Sequence, residues 1–437
     1  MNELERLFAT KKTENGDVSF NTTGTPLLDI LFMTAYYEKH LDKQITIGQS
    51  DKEKLFSMFI RDPRHGLGRR DLGRKLMSLT GVSAVDIVKA GRYDDLLNIP
   101  TTENLSYLFQ QAQNGNELAK KWCPRLTTKD KHKAKALCKM FEITEKEYRK
   151  IIKCDTTENK LSRHKTEEIE FEHVPSLAMI KYFNRFLRGE DTSFRFKNYL
   201  ESVKKGESKL NVSTSTVYDI YKNRNKIDAD LFFDKLEKIN ISCIPILDTS
   251  GSMFDSNDSI GKAMSIAHYL SKCSSYCNGQ LIGFSREPEL ITIKEMSATG
   301  SRYGRDFGNK NKYSREINSM YTGEVANTDF GKVMKLLEGL KELPEYLVVL
   351  SDMEFDSGSS QSKTQLQKLW KENGYTTKIV WWNFNSRNKT VPELDEMGNV
   401  YLSGYSPYLL KYMEAGFDGN SFLDKLLDEY QKNINKN

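Results

Sequence analysis

Two carboxylates and three hydroxyls in the second half of the chain have the types and spacing that could hold a metal ion. The stretch Asp248-Thr249-Ser250-Gly251-Ser252 offers one carboxylate and two hydroxyls at alternate positions, and Thr328 and Asp352 follow later in the chain. A small hard cation takes oxygen ligands in near-octahedral geometry and usually keeps some waters. These side chains can hold Mg²⁺, or alternatively Mn²⁺ or Ca²⁺, without filling the coordination shell. An acidic group of a protein partner could then complete it.

Each of these stretches also has a plainer explanation. An Asp-Thr-Ser sequence before a helix is a common N-cap, and Ser351-Asp352 is also a turn sequence. Asp255 and Asp329 lie nearby, and capping of the helix that follows explains both of them as well. Taken singly, the residues favour these explanations. Taken together, in this order and at the ends of strands, they predict a metal site.

The apolar pattern after residue 240 places these polar side chains directly after predicted strands. Residues 241–247 form a short, nearly continuous apolar run, which is typical of a strand buried on both faces of a parallel sheet. Further strands are predicted at 281–284, 346–350, 378–382 and 400–402, and helices at 259–275, 329–341, 361–372 and 407–415. This alternation predicts a doubly wound, mostly parallel, Rossmann-like α/β domain, in which ligands bind outside the carboxyl ends of the strands.

The first half of the chain has a different texture. From about residue 25 to residue 235 the apolar residues recur mostly at three- and four-residue intervals, which is the helical period. Prolines at 63, 100, 124 and 175 predict breaks, because the residue before a proline is pushed out of the helical region. We predict an all-α, HEAT-like helical solenoid or ring over 25–238, preceded by an N-terminal extension over 1–24. The α/β domain then occupies 239–437.

The order Asp-x-Ser-x-Ser, distant Thr, distant Asp resembles the metal-ion-dependent adhesion site of von Willebrand factor A domains. It is matched here by Asp248, Ser250, Ser252, Thr328 and Asp352. The resemblance implies that the two serines bind the ion directly and that the aspartates bind it directly or through water. It also implies that the threonine joins or leaves as the site changes state.

The first half of the chain resembles Ro-like (TROVE-related) helical-repeat proteins. The stretch 59–71 is similar to their Arg-Asp…Gly-x-Gly-x-Arg signature, and shorter similarities follow at 121–125, 147–149, 171–176, 381–384 and 401–406. The resemblance implies a ring of helical repeats closed by a von Willebrand A domain, and it is closest to a branch found in bacteria, phages and fungi. It further implies RNA binding, with single-stranded ends in the central hole and structured RNA on a basic outer face.

Two clusters of basic residues are candidates for RNA contacts, because several positive side chains together neutralise phosphates. One cluster lies in a glycine-bearing segment and one near the middle of the helical half: Arg61, Arg64, His65, Arg69, Arg70 and Arg74; Lys120, Lys121, Arg125, Lys129, Lys131, Lys133 and Lys135. The alternative is a solvated helix face and an intramolecular Arg–Asp network. The segment 295–322, which interleaves arginines and lysines with Tyr303, Phe307 and Tyr313, suits stacking on unpaired bases, or is an insertion that rims the metal site.

Composition and the termini of the chain restrict its class. A net charge of +5 over 437 residues does not by itself indicate nucleic-acid binding. Six sparse cysteines without framework spacing fit a reducing compartment. The first residues include acids and no signal-peptide-like run, and the longest apolar stretch, 27–37, is broken by Asp29. We therefore predict a soluble, cytoplasmic protein without a membrane partner, located in the host cytoplasm if it is phage-encoded.

The sequence contains no evident catalytic constellation. Neither a Ser-His-Asp or Cys-His arrangement nor a phosphate-loop Gly-Lys-Ser/Thr pattern stands out, so we predict a protein that is not an enzyme. Two functions remain. The chain is either an RNA-binding scaffold whose metal site docks an acidic partner, or a protein-interaction or virion-associated component that uses the metal site for assembly and binds no RNA.

Overall fold

A computed structural model describes most of the chain, which divides into two compact units. The sheet unit is Met1–Lys43 with Ser215–Phe422, and the helical unit is Gln44–Thr214 with Leu423–Asn437. The structure describes these residues: 10–12, 18–20, 26–32, 47–62, 66–89, 93–99, 101–154, 160–161, 165–212, 215–255, 257–284, 287–293, 311–320, 330–338, 342–352, 372, 374, 376–384, 393–394, 399–403, 405 and 408–435.

The first described elements are short. Strand β1 (Thr10–Lys12) pairs antiparallel with β2 (Val18–Phe20), and helix α1 (Pro26–Phe32) follows. The helical unit then contains ten α-helices among its described residues before residue 214: α2 (Asp51–Arg61), α3 (Arg70–Thr80), α4 (Ala84–Lys89), α5 (Tyr93–Asn98), α6 (Thr102–Gln113), α7 (Glu117–Trp122), α8 (Lys131–Met140), α9 (Glu145–Ile151), α10 (Ser176–Phe186) and α11 (Glu190–Lys205). The predicted helical character of the N-terminal half is confirmed.

Local sequence sets where these helices begin and end. Helix α2 begins at a capping box in which the Ser50 hydroxyl accepts from the Glu53 backbone N–H and the Glu53 carboxylate accepts from Ser50. Helix α3 ends at Gly81, and α11 ends at Gly206, both in the left-handed region with φ of 69° and 79°. A residue without a Cβ adopts this helix-ending conformation at no steric cost.

A buried group of two arginines and two aspartates connects α2, α3 and α5. Arg61 donates to Asp95 Oδ1 at 2.9 Å and to Asp94 Oδ2 at 2.5 Å. Arg74 donates to the same two oxygens at 2.6 and 2.9 Å. Helices α2 and α3 approach so closely that a Cβ on Gly73 would lie 2.5 Å from the Cβ of Arg61. The four charges balance, so the core between these helices contains a neutral ionic network.

The sheet unit contains a seven-stranded sheet in the order β5-β4-β3-β6-β7-β9-β8 among the described residues. Its strands are β3 (Cys243–Asp248), β4 (Gln280–Phe284), β5 (Pro288–Thr292), β6 (Tyr346–Ser351), β7 (Lys378–Asn383), β8 (Glu393–Leu394) and β9 (Val400–Ser403). The five central strands, β4, β3, β6, β7 and β9, run parallel to one another. Strands β5 and β8 pair antiparallel at the two edges. A mostly parallel sheet in the second half is therefore confirmed, while the two edge strands were not predicted.

The remaining helices belong to the sheet unit, except for most of the last one. They are α12 (Val217–Asn223), α13 (Ala229–Asp234), α14 (Ser259–Cys273), α15 (Lys312–Ser319), α16 (Phe330–Glu338), α17 (Tyr408–Glu414) and α18 (Gly419–Ile434). The predicted helix at 361–372 falls almost entirely outside the described residues. Side chains from β3, β4, β6 and β7 form a core with Val333 and Leu337 of α16, while α14 packs on β3.

The end of α18 packs within the helical unit. The ring of Tyr430 meets Phe59 of α2 edge-on with 5.5 Å between centroids, and Lys52 pairs with Asp424 at 2.7 Å. The C-terminal helix therefore contributes apolar and ionic contacts to a unit whose other residues come from the first half of the chain.

The buried ionic network predicts a large loss of stability when one of its acids is removed. Asp95→Ala leaves the buried guanidinium of Arg61 and the half-buried guanidinium of Arg74 with a single carboxylate, and we expect the free energy of unfolding of the helical unit to fall by about 3–5 kcal/mol. Urea denaturation followed by circular dichroism measures this change. Asp428→Ala, at an exposed position of α18, is the control and should change stability by less than about 0.5 kcal/mol; equal effects of the two variants would contradict the structural role of the network.

Candidate functional site

The carboxyl ends of β3 and β6 bring the predicted ligand Asp248 next to Ser351, the residue that precedes the predicted ligand Asp352. These strands are parallel neighbours, with Leu247 opposite Leu350 in the register. The next residues, Asp248 and Ser351, therefore end their strands side by side. The Ser351 hydroxyl donates to Asp248 Oδ2 at 2.6 Å, although the two residues are 103 positions apart.

Both oxygens of the Asp248 carboxylate are held in place. The Ser250 backbone N–H donates to Oδ1 at 2.8 Å, while Ser351 holds Oδ2. Asp248 is completely buried, which removes water from its carboxylate. The result is a rigid, desolvated anionic group at the edge of the sheet.

The two serines of the Asp-x-Ser-x-Ser stretch are adjacent in space as well as in sequence. Their hydroxyl oxygens lie 3.1 Å apart, at the start of a 3-10 turn over Gly251–Met253. Ser250 precedes this turn without a capping bond from its side chain, so capping does not account for its hydroxyl. The fully buried Met253 anchors the turn, whereas Gly251 is exposed and Ser252 half-buried. The hydroxyls therefore lie at a partly open edge.

Thr249, which lies between the predicted ligands Asp248 and Ser250, has a different role from theirs. Its hydroxyl donates to the Phe284 carbonyl of β4 at 3.3 Å, and its backbone N–H donates to the same oxygen at 3.0 Å. This residue attaches the loop to the neighbouring strand, and its hydroxyl is used in that bond. Of the serines on either side of Gly251, Ser250 bonds Asp248 through its backbone N–H, and Ser252 lies beside the Ser250 hydroxyl.

Asp352 adds a second carboxylate, and the electrostatics of the pair favour a cation. Asp352 is 5% exposed and directly follows Ser351. Burial raises the pKa of Asp248 to about 6; hydrogen bonds from Ser351 and Ser250 oppose this rise, and the negative charge of Asp352 adds to it. Two carboxylates that repel each other in a desolvated site are stabilised by a positive ion between them.

The donor set fits a hard divalent cation. Two aspartates and two serines supply only oxygen, which suits Mg²⁺, Mn²⁺ or Ca²⁺ and not a soft metal. No group of three or more His, Cys, Asp or Glu side chains in the described part of the chain could hold a metal, so any site here depends on serine hydroxyls. The fifth predicted ligand, Thr328, lies outside the described residues, as does Asp329.

Asp255 caps a helix, as the simpler interpretation of the sequence predicts. Its carboxylate accepts from the backbone N–H and from the hydroxyl of Ser259, both at 2.9 Å, and from the Asn257 N–H at 3.1 Å. These bonds cap the start of α14. Asp255 is therefore a helix-capping residue close in sequence to the metal loop.

The arginine-rich cluster around α2 and α3 is used mainly inside the protein. Arg61 is 2% exposed, and both Arg61 and Arg74 bind Asp94 and Asp95. The intramolecular Arg–Asp network therefore holds for these two residues: Arg61 is buried in it, and the half-buried Arg74 is paired with the same two carboxylates. Arg69 is half-buried, Arg70 is exposed at the start of α3, and Arg64 and His65 lie outside the described residues.

In the second basic cluster, four residues make internal contacts. Arg125 donates to the carbonyls of Ile152, Lys120 and Lys121 at 3.0–3.3 Å and so joins the ends of α7 and α9. Lys120 pairs with Glu117 at 2.7 Å, and Lys133 pairs with Asp130 at 3.0 Å. Lys121 is half-buried, and its ammonium lies 5.7 Å from the centre of the Trp122 ring.

The other three lysines of this cluster and three that follow it in the sequence form an exposed basic surface. Lys131, Lys135 and Lys139 recur every four residues along α8, so they share one face of that helix. All three are exposed, as are Lys129 before the helix and Lys146 and Lys150 on the following helix. We call these six lysines the α8–α9 basic surface.

The segment 295–322 is partly described. It includes α15, whose Tyr313 is 1% exposed and packs against His268 with 4.8 Å between ring centroids. Tyr313 is therefore a core residue and has no face open to an unpaired base. Arg302, Tyr303, Arg305, Phe307 and Lys310 lie outside the described residues.

A buried His–Glu pair in the sheet unit was not predicted from the sequence. His268 of α14 is completely buried, and its Nε2 lies 2.8 Å from Glu316 of α15, which also accepts from Lys272 at 2.8 Å. Burial lowers the pKa of His268, whereas the Glu316 charge opposes the change. Burial alone would raise the pKa of Glu316, but its bonds to His268 and Lys272 lower it to about 2. The helical spacing of His268 and Lys272 was visible in sequence; their partner 44 or more residues away was not.

Comparisons with known proteins identify related sequences without an assigned activity. Residues 242–435 match a family described as "Domain of unknown function (DUF7788)", and residues 106–238 match "Domain of unknown function (DUF2828)". An uncharacterized protein, L728, of Acanthamoeba polyphaga mimivirus is 24% identical over 517 aligned positions, covering 96% of this chain and 88% of the viral protein.

Among solved structures, the chain is similar to the crystal structure of the Deinococcus radiodurans RO (RSR) protein. The TM-score is 0.44 with 12% identity, over 88% of this chain and 94% of the other. A likeness this weak establishes neither a shared fold nor a shared function. In the described part of the chain, no helix combines the length and the apolar character that crossing a membrane requires.

The buried histidine predicts a pH dependence of stability. Because the pKa of His268 is lower in the folded state than its ordinary value of 6.5, the unfolded chain binds more protons, and stability present above about pH 6.5 is lost as the pH falls below it. We expect His268→Gln to reduce the stability difference between pH 7.5 and 5.5 by up to about 1.4 kcal/mol, because only the one unit below pH 6.5 contributes. Urea unfolding at the two pH values measures it, with His132→Gln, at an exposed position, as the control that should leave the difference unchanged. An unaltered pH dependence in His268→Gln would contradict the assignment.

Proposed function

We propose that the carboxyl edge of the sheet is a divalent-metal site of von Willebrand A type that docks an acidic group of a partner protein. The observation that carries this proposal is the convergence of Asp248, Ser250 and Ser252, held by Ser351, with Asp352 on the adjacent strand end. This arrangement supplies oxygen donors of the right chemistry at the place where α/β sheets bind ligands.

Each residue has a distinct task in the proposed site. Ser250 and Ser252 offer their hydroxyls to the ion, Asp248 and Asp352 offer charge, and Thr328 is the expected fifth donor. Ser351 orients the Asp248 carboxylate, as residues behind a metal ligand commonly do. When bound, the ion supplies an open coordination position that attracts a carboxylate. The partly exposed serine loop leaves that position accessible from one side.

The same geometry favours docking over catalysis. Asp248 has both oxygens committed to hydrogen bonds, so it is suited to holding charge and poorly suited to moving protons. We therefore propose a binding protein that is not an enzyme, with an acidic protein segment as the ligand of the metal.

The metal site predicts a metal-dependent rise in melting temperature. At free Mg²⁺ about 100 times its dissociation constant, binding to the folded state alone adds about 2.7 kcal/mol of stability. We expect Mg²⁺ or Mn²⁺ to raise the melting temperature of the wild-type chain and to have no effect on Asp248→Ala. Differential scanning fluorimetry of the full chain, with chelator-treated protein as the reference, measures the shift.

Asp255→Asn is the matched control for this experiment. It lies in the same loop and removes one charge, yet the amide oxygen can still cap α14 through Ser259. The control should keep the metal-induced shift. A shift that survives in Asp248→Ala, or that disappears equally in both variants, would sink the proposed site.

A second function, RNA binding, is favoured by the α8–α9 basic surface. Its lysines are exposed, and among the described residues none of them forms an ion pair, unlike the arginines of α2 and α3. Neighbouring acids are partly engaged, because Glu147 caps α9 and Glu145 pairs with Arg149. Such a surface can neutralise several phosphates of an RNA backbone. The competing proposal, a virion-associated component without RNA, is compatible with the viral relative.

Charge removal from this surface predicts a specific loss of RNA affinity. For Lys131→Ala, Lys135→Ala and Lys139→Ala combined, we expect weaker binding to unpaired RNA and a slope of log K against log salt that is smaller by about 2. Fluorescence anisotropy at several salt concentrations measures both. The control combines Lys197→Ala, Lys204→Ala and Lys205→Ala on α11, which removes the same charge from other exposed positions. If both triple variants bind RNA as wild type does, or if the wild-type chain shows no salt-sensitive RNA binding, the proposal of RNA binding at this surface is wrong. Either result would favour the virion-associated component.

A further inference from the structure

The loop that carries the metal serines ends at a residue in an unusual backbone conformation. Asp258 directly precedes α14 and has a φ of 56°, in the left-handed region. Aspartate tolerates this region better than most residues other than glycine. Although Asp258 occupies the N-cap position, its side chain makes no capping bond, because Asp255 caps the helix. The Asp258 carboxylate is therefore oriented toward a different partner.

That partner is Tyr218 of α12. The Tyr218 hydroxyl donates to Asp258 Oδ2 at 2.8 Å, and its backbone N–H donates to the Tyr405 hydroxyl at 3.1 Å. Tyr405 follows β9. The two bonds of Tyr218 therefore connect α12 to Asp258 at the end of the serine loop and to Tyr405 after β9. The ammonium of Lys262 lies 5.9 Å from the centre of the Tyr218 ring. Burial and the bond to Asp258 raise the pKa of Tyr218, so its hydroxyl remains a donor.

A glycine makes this contact sterically possible. A Cβ on Gly261, in the first turn of α14, would lie 2.5 Å from Asp258 Oδ2 and 2.6 Å from the Tyr221 ring. The carboxylate and the ring therefore pack directly on the helix backbone. This close approach leaves Asp258 little room to move unless α12 moves as well.

Short turns link Asp258 to the metal serines. The Met253 N–H donates to the Ser250 carbonyl at 3.3 Å, and the Phe254 N–H donates to Gly251 at 3.2 Å. The Asp258 N–H closes the next turn on the Asp255 carbonyl at 3.2 Å. The buried Met253 anchors the first turn, and Asp255, whose carbonyl closes the second turn, also caps α14 through Ser259. The described bonds therefore place the serine hydroxyls and Asp258 near the two ends of one loop.

We propose that Tyr218 and Asp258 are positioning residues of the metal loop, so that divalent-metal binding and the seating of α12 are thermodynamically coupled. This inference rests on the proposed metal site and adds a regulatory element to it. Helix α12 begins two residues after Ser215, where the chain enters the sheet unit from the helical unit. Occupancy of the metal site is thereby coupled to the position of α12, and by linkage the position of α12 alters the metal affinity by the same factor.

The test compares two Tyr→Phe variants of one helix in the full chain. Isothermal titration with Mn²⁺ gives the dissociation constants of wild type, Tyr218→Phe and Tyr221→Phe, and metal-free melting temperatures report whether each variant is folded. Loss of a residue that orients a metal ligand directly typically costs 10- to 100-fold in affinity, and Tyr218 acts one step further away through Asp258, so the low end of that range applies. We expect Tyr218→Phe to bind Mn²⁺ about tenfold more weakly, and Tyr221→Phe, which leaves the Asp258 bond intact, to stay within about twofold of wild type.

A conservative variant separates the hydrogen bond from the charge. Asp258→Asn keeps an oxygen acceptor for Tyr218 and suits the left-handed backbone, so its Mn²⁺ affinity should remain within about threefold of wild type. As a reciprocal readout, Mn²⁺ should slow hydrogen exchange of the amides in 217–223 in wild type and not in Tyr218→Phe.

The outcomes distinguish this inference from the metal site itself. A wild-type chain that binds no Mn²⁺ overturns both. A wild-type chain that binds Mn²⁺, with Tyr218→Phe equal to it in affinity, overturns the coupling and leaves the metal site standing. Equal weakening of both Tyr→Phe variants also overturns the coupling, because the effect would then come from general loosening of α12.

Discussion

The buried Asp248 carboxylate is the constraint on which the carboxyl edge of the sheet depends. A carboxylate without water needs partners for both oxygens, and here one partner is its own loop and the other is the end of the neighbouring parallel strand. The bond from Ser351 can form only if β3 and β6 are adjacent and in register. The order of the central strands, the serine turn and the position of Asp352 are therefore parts of a single arrangement.

Buried charge is handled differently in the two units. In the helical unit, two arginines and two aspartates neutralise one another, so the ionic network is complete and leaves nothing for an external ligand. At the sheet edge, two buried carboxylates lie at or just after the ends of neighbouring strands; burial raises the pKa of Asp248, and the charge of Asp352 adds to the rise. The first arrangement stabilises helix packing, whereas the second is suited to an added cation. The charged residues of the helical unit are therefore interpreted as structural, and those at the sheet edge as candidate ligands of a cation.

Basic residues that look alike in the sequence have different roles in the structure. Arg61, Arg74 and Arg125 looked equivalent to the lysines of α8 in sequence, yet their guanidinium groups bind carboxylates and helix carbonyls. A guanidinium offers several donors in a fixed plane, which suits it to such internal junctions. A lysine ammonium on an exposed helix face has no such partners. The surface that remains for a polyanion is therefore smaller and richer in lysine than the sequence suggested.

Sequence alone was sufficient to predict the helical texture of the first half, the five central strands and the polar residues at their carboxyl ends, because hydrophobic periodicity and apolar runs are local properties. The pairing of Glu316 with His268, of Ser351 with Asp248 and of Tyr218 with Asp258 became evident only in three dimensions, since these partners are 40 or more positions apart. The assignment of α12 and α13 to the sheet unit and of most of α18 to the helical unit also came from packing alone. Local patterns specify which residues are apolar or polar, but the packing of distant segments decides which polar groups meet.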